Sequence, residues 1–227
     1  MRKHFIAEFI GTFALVFVGG GAIMMAQHTN STAGLVQVAL AHGLILALMV
    51  SAFMNVSGGH FNPAVTTSLL VARRITPTVA GVHIVAQLVG AVIAAWALKM
   101  TMPTALFAAT QGGGQSIALE ITATQAIALE FIATFFLVTV IYGTAVNSDA
   151  PKIGGLAIGL TIAADILAIG PLTGGSMNPA RSFGPAIVSG VLAGQVVYWV
   201  GPILGGIAAA MLWELGILSK SAGAKAA

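Results

Sequence analysis

Few side chains in this 227-residue sequence are equipped for chemistry, and the most conspicuous come in pairs. Asn62 and Asn178 stand in one shared frame, Gly-Gly-x-x-Asn-Pro-Ala, spelled Gly58-Gly59-His60-Phe61-Asn62-Pro63-Ala64 and Gly174-Gly175-Ser176-Met177-Asn178-Pro179-Ala180. Glu8 and Glu130 are carboxylates set into apolar runs, in the matching contexts Glu8-Phe9-Ile10-Gly11-Thr12-Phe13 and Glu130-Phe131-Ile132-Ala133-Thr134-Phe135. His42, Asp165 and Arg181 are further ionisable groups in apolar surroundings, and Asp165 fits no pattern. An amide both gives and takes hydrogen bonds, which suits recognition of a small neutral solute better than bond-making. Gly174-Gly175-Ser176 looks like the start of a serine nucleophile turn, but no glycine follows Ser176 and no His–Asp set accompanies it. No catalytic residue is expected, and the chain is not read as an enzyme.

The elements that must hold these groups follow from composition. The sequence is 58% hydrophobic and 7% charged, against about 25% charged in soluble domains. Apolar segments at roughly 5–26, 34–55, 78–98, 117–142, 153–170 and 195–217 predict six membrane-spanning helices. The first run reaches Met25 without a clear cleavage site, so it reads as a span and not a signal peptide. With no cysteine there are no disulfides or thiolate-bound metals, and neither a metal nor a cofactor is expected. The net charge of +3 is scattered between apolar runs, which does not make a nucleic-acid surface.

Each Asn-Pro-Ala reads as a helix start: asparagine caps, and proline fits a first turn that needs no backbone N–H. The apolar runs that follow, 64–71 and 180–188, are too short to cross a bilayer. The chain therefore divides into two similar halves, at about 4–100 and 117–217, joined by a link at about 101–116 within one channel domain, 1–227. Three spans per half make the second copy inverted, and the paired short helices mark the pathway. With the N-terminus in the cytoplasm, Arg2, Lys3, Arg73, Arg74, Lys152, Lys220 and Lys225 fall inside, Lys99 falls outside, and Arg181 belongs to the second half-helix. This agrees with the positive-inside rule. The expected site is a cell (plasma or inner) membrane, with both termini cytoplasmic.

Two half-helix N-termini facing each other make a positive midplane, hostile to cations. Asn62 and Asn178 would donate there, while backbone carbonyls along Gly58, Gly59, His60 and Phe61, and along Gly174, Ser176 and Met177, would supply acceptors leading in. Water is the simplest solute to fit. Glu8 and Glu130 are read as braces for that irregular backbone, whose N–H groups need acceptors. The competing reading is a proton relay in a proton-coupled small-solute transporter. His4, His28 and His83 are scattered in the sequence and receive no role.

These motifs, the six-span inverted repeat and the Glu-Phe repeat starts resemble the aquaporin (major intrinsic protein) family across essentially the whole chain. The resemblance implies an all-α fold of six transmembrane helices plus two re-entrant half-helices, a passive pore excluding protons and ions, and a homotetramer in the lipid bilayer with one pore per subunit. By position it also implies an outer filter of His42, Ile166, Gly175 and Arg181. That quartet resembles the plant vacuolar (tonoplast) branch, some of whose members pass ammonia as well as water. Relatives of that kind can add a histidine from the link between halves, and the comparable Pro103-Thr104-Ala105 has none. Glycerol and urea facilitators are the alternative; they typically carry Asp after the filter arginine and a basic residue four positions on, where this chain has Ser182 and Ala186. His42, facing Arg181, would tune conduction by its protonation near neutral pH. Because the chain lacks cysteine, mercuric chloride is expected to leave water flux unchanged in stopped-flow measurements before and after treatment.

Overall fold

The computed structural model describes residues 1–218, so Lys220 and Lys225 lie outside the described residues. The helices are α1 (Arg2–His28), α2 (Gly34–Ser57), α3 (Pro63–Val71), α4 (Pro77–Thr101), α5 (Thr104–Ala109), α6 (Ala123–Ile141), α7 (Gly154–Thr173), α8 (Pro179–Ser189) and α9 (Gln195–Leu212). One π-helical turn prolongs α6 through Tyr142–Val146, and another prolongs α9 through Trp213–Leu218. Six of these are long and apolar enough to cross a membrane. Their outward faces carry Leu48, Val85, Trp96, Phe136 and Leu204, all exposed as a lipid-facing surface requires. No strand occurs among the described residues.

Local chemistry sets the boundaries. The expected fourth span from 117 instead starts as a helix at Ala123, because Thr122 and Gln125 form a reciprocal capping box. The residues before it run as irregular chain, where the Ala118 N–H donates to the Leu172 carbonyl at 2.9 Å. The link between halves is not wholly loop, since it contains α5. The half-helices α3 and α8 have 9 and 11 residues. At 1.5 Å per residue they rise about 14 and 17 Å, together close to the thickness of a hydrocarbon core.

Packing follows a crossed pattern. The helix α1 lies along α4, α6 along α9, and α2 crosses α7 between the halves. The short α3 of the first half packs mainly on α9 of the second, and α8 packs mainly on α4. Close approach depends on missing side chains. A Cβ on Gly43 would lie 2.6 Å from the Gly159 carbonyl, and one on Gly159 would collide with the Gly43 carbonyl in return. At the N-terminal face, Arg74, just past α3, is held to Glu214 by Nε at 2.6 Å and Nη2 at 2.9 Å. The Tyr142 hydroxyl donates to the same carboxylate at 3.0 Å.

Gly159→Ala, which forces backbone against backbone, is expected to cost on the order of 1–3 kcal/mol. Gly81→Ala, where a Cβ meets nothing within 4 Å, is expected to be neutral or stabilising by up to about 1 kcal/mol. Thermal unfolding of the two variants in one detergent checks the contrast.

Candidate functional site: the meeting of two half-helices

Each half-helix begins at an irregular stretch built in the same way. The helix α2 ends at Gly58 with φ +94°, and α7 ends at Gly174 with φ +82°. Both are left-handed turns that favour glycine. The chain then passes through Phe61 at φ +49° and Met177 at φ +51°, left-handed non-glycine residues at matching positions. Such backbone is costly, so the surroundings must fix it. The aromatic ring of Phe61 does so on one side: it occupies the space a Gly11 side chain would need.

The two carboxylates hold these turns. Glu8 Oε1 accepts from the Ser57 hydroxyl at 2.6 Å and the His60 N–H at 3.0 Å, while Oε2 accepts from the Phe61 N–H at 2.7 Å. Glu130 Oε1 accepts from the Thr173 hydroxyl at 2.7 Å and the Ser176 N–H at 2.9 Å, while Oε2 accepts from the Met177 N–H at 2.6 Å. Both residues are fully buried. Gln87 adds a fourth bond to Glu8, donating from Nε2 at 2.7 Å.

The asparagines then cap and cross. Asn62 Oδ1 accepts from the Ala64 N–H at 2.8 Å; Asn178 Oδ1 accepts from those of Ala180 at 2.9 Å and Arg181 at 3.2 Å. Asn62 Nδ2 donates to the Met177 carbonyl and Asn178 Nδ2 to the Phe61 carbonyl, both at 2.8 Å. Thus one amide hydrogen of each asparagine ties it to the opposite half, and the other meets no protein acceptor among the described residues. Phe61 and Met177 correspondingly spend acceptor capacity on these bonds. The carbonyls of Gly59, His60, Gly175 and Ser176 meet no protein donor among the described residues. Pro63 and Pro179 open the helices at the first position, with buried Ala64 and Ala180 behind them.

On the other side of this crossing lie His42, Ile166, Gly175 and Arg181. His42 Nδ1 is 2.8 Å from the Val38 carbonyl, which only accepts, so Nδ1 carries the proton. Its bare Nε2 accepts from Arg181 Nε at 2.9 Å. Both ring nitrogens are therefore occupied in a neutral ring; a further proton on Nε2 would face the guanidinium instead of serving as a free switch. A Cβ on Gly19 would run into this ring, so that glycine leaves room for it. Gly175 leaves room beside Ile166, whose Cα and Cγ1 lie 3.2 Å from where its Cβ would stand. Arg181 is buried, and no carboxylate pairs with it among the described residues.

A fifth residue joins them. With its amide turned so that the oxygen faces the guanidinium, Gln115 accepts from Arg181 Nη1 at 2.9 Å and Nη2 at 3.2 Å. By resemblance, Pro103-Thr104-Ala105 is the stretch comparable to this link position. That stretch instead leads into α5, and Gln115 is the link residue that reaches the arginine. Its only signal in the sequence is its place, next to Gly112-Gly113-Gly114. A cavity of about 530 Å³ opens on this side, bordered by Gln115, Val38, Leu35 and Ile166. A smaller one of about 180 Å³ opens on the other, bordered by His60, Gly58, Met54 and Ile158. Asp165 is buried beside this region with one carboxylate oxygen unpartnered. Ser176 donates its hydroxyl to the Asn178 carbonyl at 2.9 Å.

The histidines correct the sequence reading. His4 and His83, distant in sequence and given no role there, lie in contact with one another and with His60. His28 stands exposed at the end of α1.

Residues 1–213 match the family described as major intrinsic protein. The chain belongs to the major intrinsic protein family. Its relatives include the Arabidopsis thaliana protein named probable aquaporin TIP3-2, 44% identical over 94% of this chain and 83% of the relative. Another is the Arabidopsis thaliana aquaporin TIP2-1, 41% identical over 93% of this chain and 86% of the relative. Among solved structures, the aquaglyceroporin from Plasmodium falciparum superposes with a TM-score of 0.79 at 25% identity, covering 96% of this chain and 98% of that one. This member of the family is an integral, multi-pass membrane water channel of the aquaporin type, and it is not an enzyme.

Glu8→Gln and Glu130→Gln each put an amide NH₂ where backbone N–H groups already point. Each is expected to lower stability on the order of 2–3 kcal/mol, by similar amounts because the two sites match. Melting temperatures of the two variants in detergent check this.

Proposed function

We propose that water passes in single file along the carbonyls of Gly58, Gly59 and His60, between Asn62 and Asn178, and along Gly174 and Ser176, in a passive and bidirectional pore. The crossed asparagine pair carries this reading. Two helix N-termini meet there, with one amide hydrogen on each side left to grip a passing oxygen. A water held by both must turn its own hydrogens away from both N-termini, which interrupts proton hopping, and the converging dipoles repel cations. The carboxylates support a channel over a proton-coupled transporter: Glu8 and Glu130 are each committed to two backbone N–H groups and a hydroxyl.

His42, Ile166, Gly175 and Arg181 form the outer filter in this proposal, and Gln115 completes its wall. Of the five guanidinium N–H bonds, Nε–H goes to His42 and one from each terminal nitrogen to Gln115, leaving two for solute. An aliphatic wall at Ile166 and the absent side chain at Gly175 favour ammonia as a second solute, since it needs few hydrogen bonds and little space. The full chain, 1–227, acts as one channel domain of two inverted repeats. The family resemblance supports assembly as a homotetramer with one pore in each subunit. The basic residues favour cytoplasmic termini. The TIP-type relatives lend no support to a plasma-membrane location, so only multi-pass insertion is assigned.

Stopped-flow light scattering on proteoliposomes, comparing water, ammonia and glycerol, tests the reading. Wild-type protein is expected to pass water well above the bare-lipid rate, ammonia detectably and glycerol poorly. Arg181→Val is expected to keep water flux and raise glycerol and urea flux several-fold. Unchanged exclusion in that variant would remove Arg181 from the filter.

A further inference from the structure

A second groove lies away from the crossed asparagines, on the filter side of the molecule. It encloses about 430 Å³ between the last turn of α4, α5 and the end of α8. Phe107, Ala108 and Val188 border it, and Met100 and Val191 stand exposed at its rim. One turn back along α4, on the same helix face as Met100, Trp96 is exposed as well. An exposed tryptophan one turn from a lysine marks the level at which lipid tails give way to headgroups.

Lys99 is the only charged side chain on this groove. Its ammonium stands over the Phe107 ring, 6.0 Å from the centroid, so it is drawn over the groove and not away from it. No carboxylate pairs with it among the described residues. A lysine in the last turn of α4 complements the carbonyl end of that helix, which accounts for a cation at this place. It does not account for the apolar groove beside it. Thr104 and Gln111 also border the groove, and their side chains make no hydrogen bond to protein among the described residues. Ser189, by contrast, spends its hydroxyl on the Ala186 carbonyl and the Val191 N–H.

We propose that this groove seats an anionic glycerophospholipid, with its phosphate against Lys99 and one acyl chain laid along Phe107, Met100 and Val188. The inference does not depend on the pore reading, since none of these residues stands at the crossing or in the filter. An ammonium and a phosphate at the edge of the hydrocarbon are screened less than in open solvent. The Thr104 hydroxyl and the Gln111 amide supply donors for the remaining oxygens. The apolar wall takes the chain, which a free phosphate lacks. A zwitterionic lipid brings its own cation close to Lys99 and gains less. Bound there, the lipid ties α4, α5 and the end of α8 together. Because α8 also carries Arg181, the occupant braces the filter helix from its far end.

Thermal unfolding and native mass spectrometry of delipidated protein in detergent test this, with phosphatidylglycerol, phosphatidylcholine or inorganic phosphate added. Wild-type protein is expected to unfold several degrees higher with phosphatidylglycerol than with either of the others. Lys99→Gln, at an exposed position, is expected to retain one phosphatidylglycerol fewer per chain and to lose most of that difference. Lys99→Arg is expected to keep both. Ala108→Trp, which fills the groove from α5 and leaves the charge in place, is expected to lose the same lipid. Equal stabilisation of wild-type protein by the two lipids overturns the site, as does a preference retained in Lys99→Gln. Equal stabilisation by inorganic phosphate overturns the lipid as occupant. Wild-type water flux at the bare-lipid rate in phosphatidylcholine vesicles overturns the channel reading and leaves the lipid site standing.

Discussion

The structure depends on making irregular backbone tolerable in the middle of a membrane. A helix satisfies its own N–H and C=O groups, whereas a turn does not, and lipid offers no water to make up the difference. Here the chain turns twice at depth, at Gly58–Phe61 and Gly174–Met177, and each time a buried glutamate accepts two backbone N–H groups in succession. Donors are thereby taken up by the protein while several carbonyls stay open. A stretch that offers acceptors without competing donors, as the proposed lining requires, follows from where the carboxylates stand. Both glutamates sit on the first helix of their half, so the scaffold and the lining are fixed by the same residues.

The polar groups at the centre are likewise divided between holding the fold and, in the proposed pore, meeting a solute. Each asparagine caps its own half-helix through oxygen and holds the other half through nitrogen. Arg181 is shared in the same manner: its inner nitrogen rests on His42 and its outer ones on Gln115, so its direction is set without a neutralising carboxylate. A buried, unpaired positive charge is expensive. Its retention here is consistent with the proposed filter, where a fixed cation with free N–H groups is what discriminates.

Much of this arrangement was legible in the sequence because it is written in local chemistry. The repeated Gly-Gly-x-x-Asn-Pro-Ala frame spells a turn, a cap and a helix start, and long apolar runs between polar links give six spans. The matching Glu8 and Glu130 contexts pair the two buried carboxylates in advance. What escaped was long-range. Gln115 lies in a glycine-rich link with no periodicity, so nothing in its neighbourhood says that it reaches Arg181. His4, His60 and His83 are separated by intervals without pattern, and only the packing of α1 against α4 brings them together. The start of α6 departs from the apolar run for another reason: hydropathy continues through Ile117–Ile121, and the capping box at Thr122 decides where the helix begins.

The crossed seating of the half-helices bears on how the protein is made. The segment that completes the seat of α3 is α9, which leaves the ribosome after the other helices of the described residues, whereas α8 finds α4 already in place. During synthesis the first turn at depth therefore waits, bracketed only by its own half, until α9 has been delivered. Nascent fragments have no completed hole to leave in the membrane, a safeguard that arises from chain order alone.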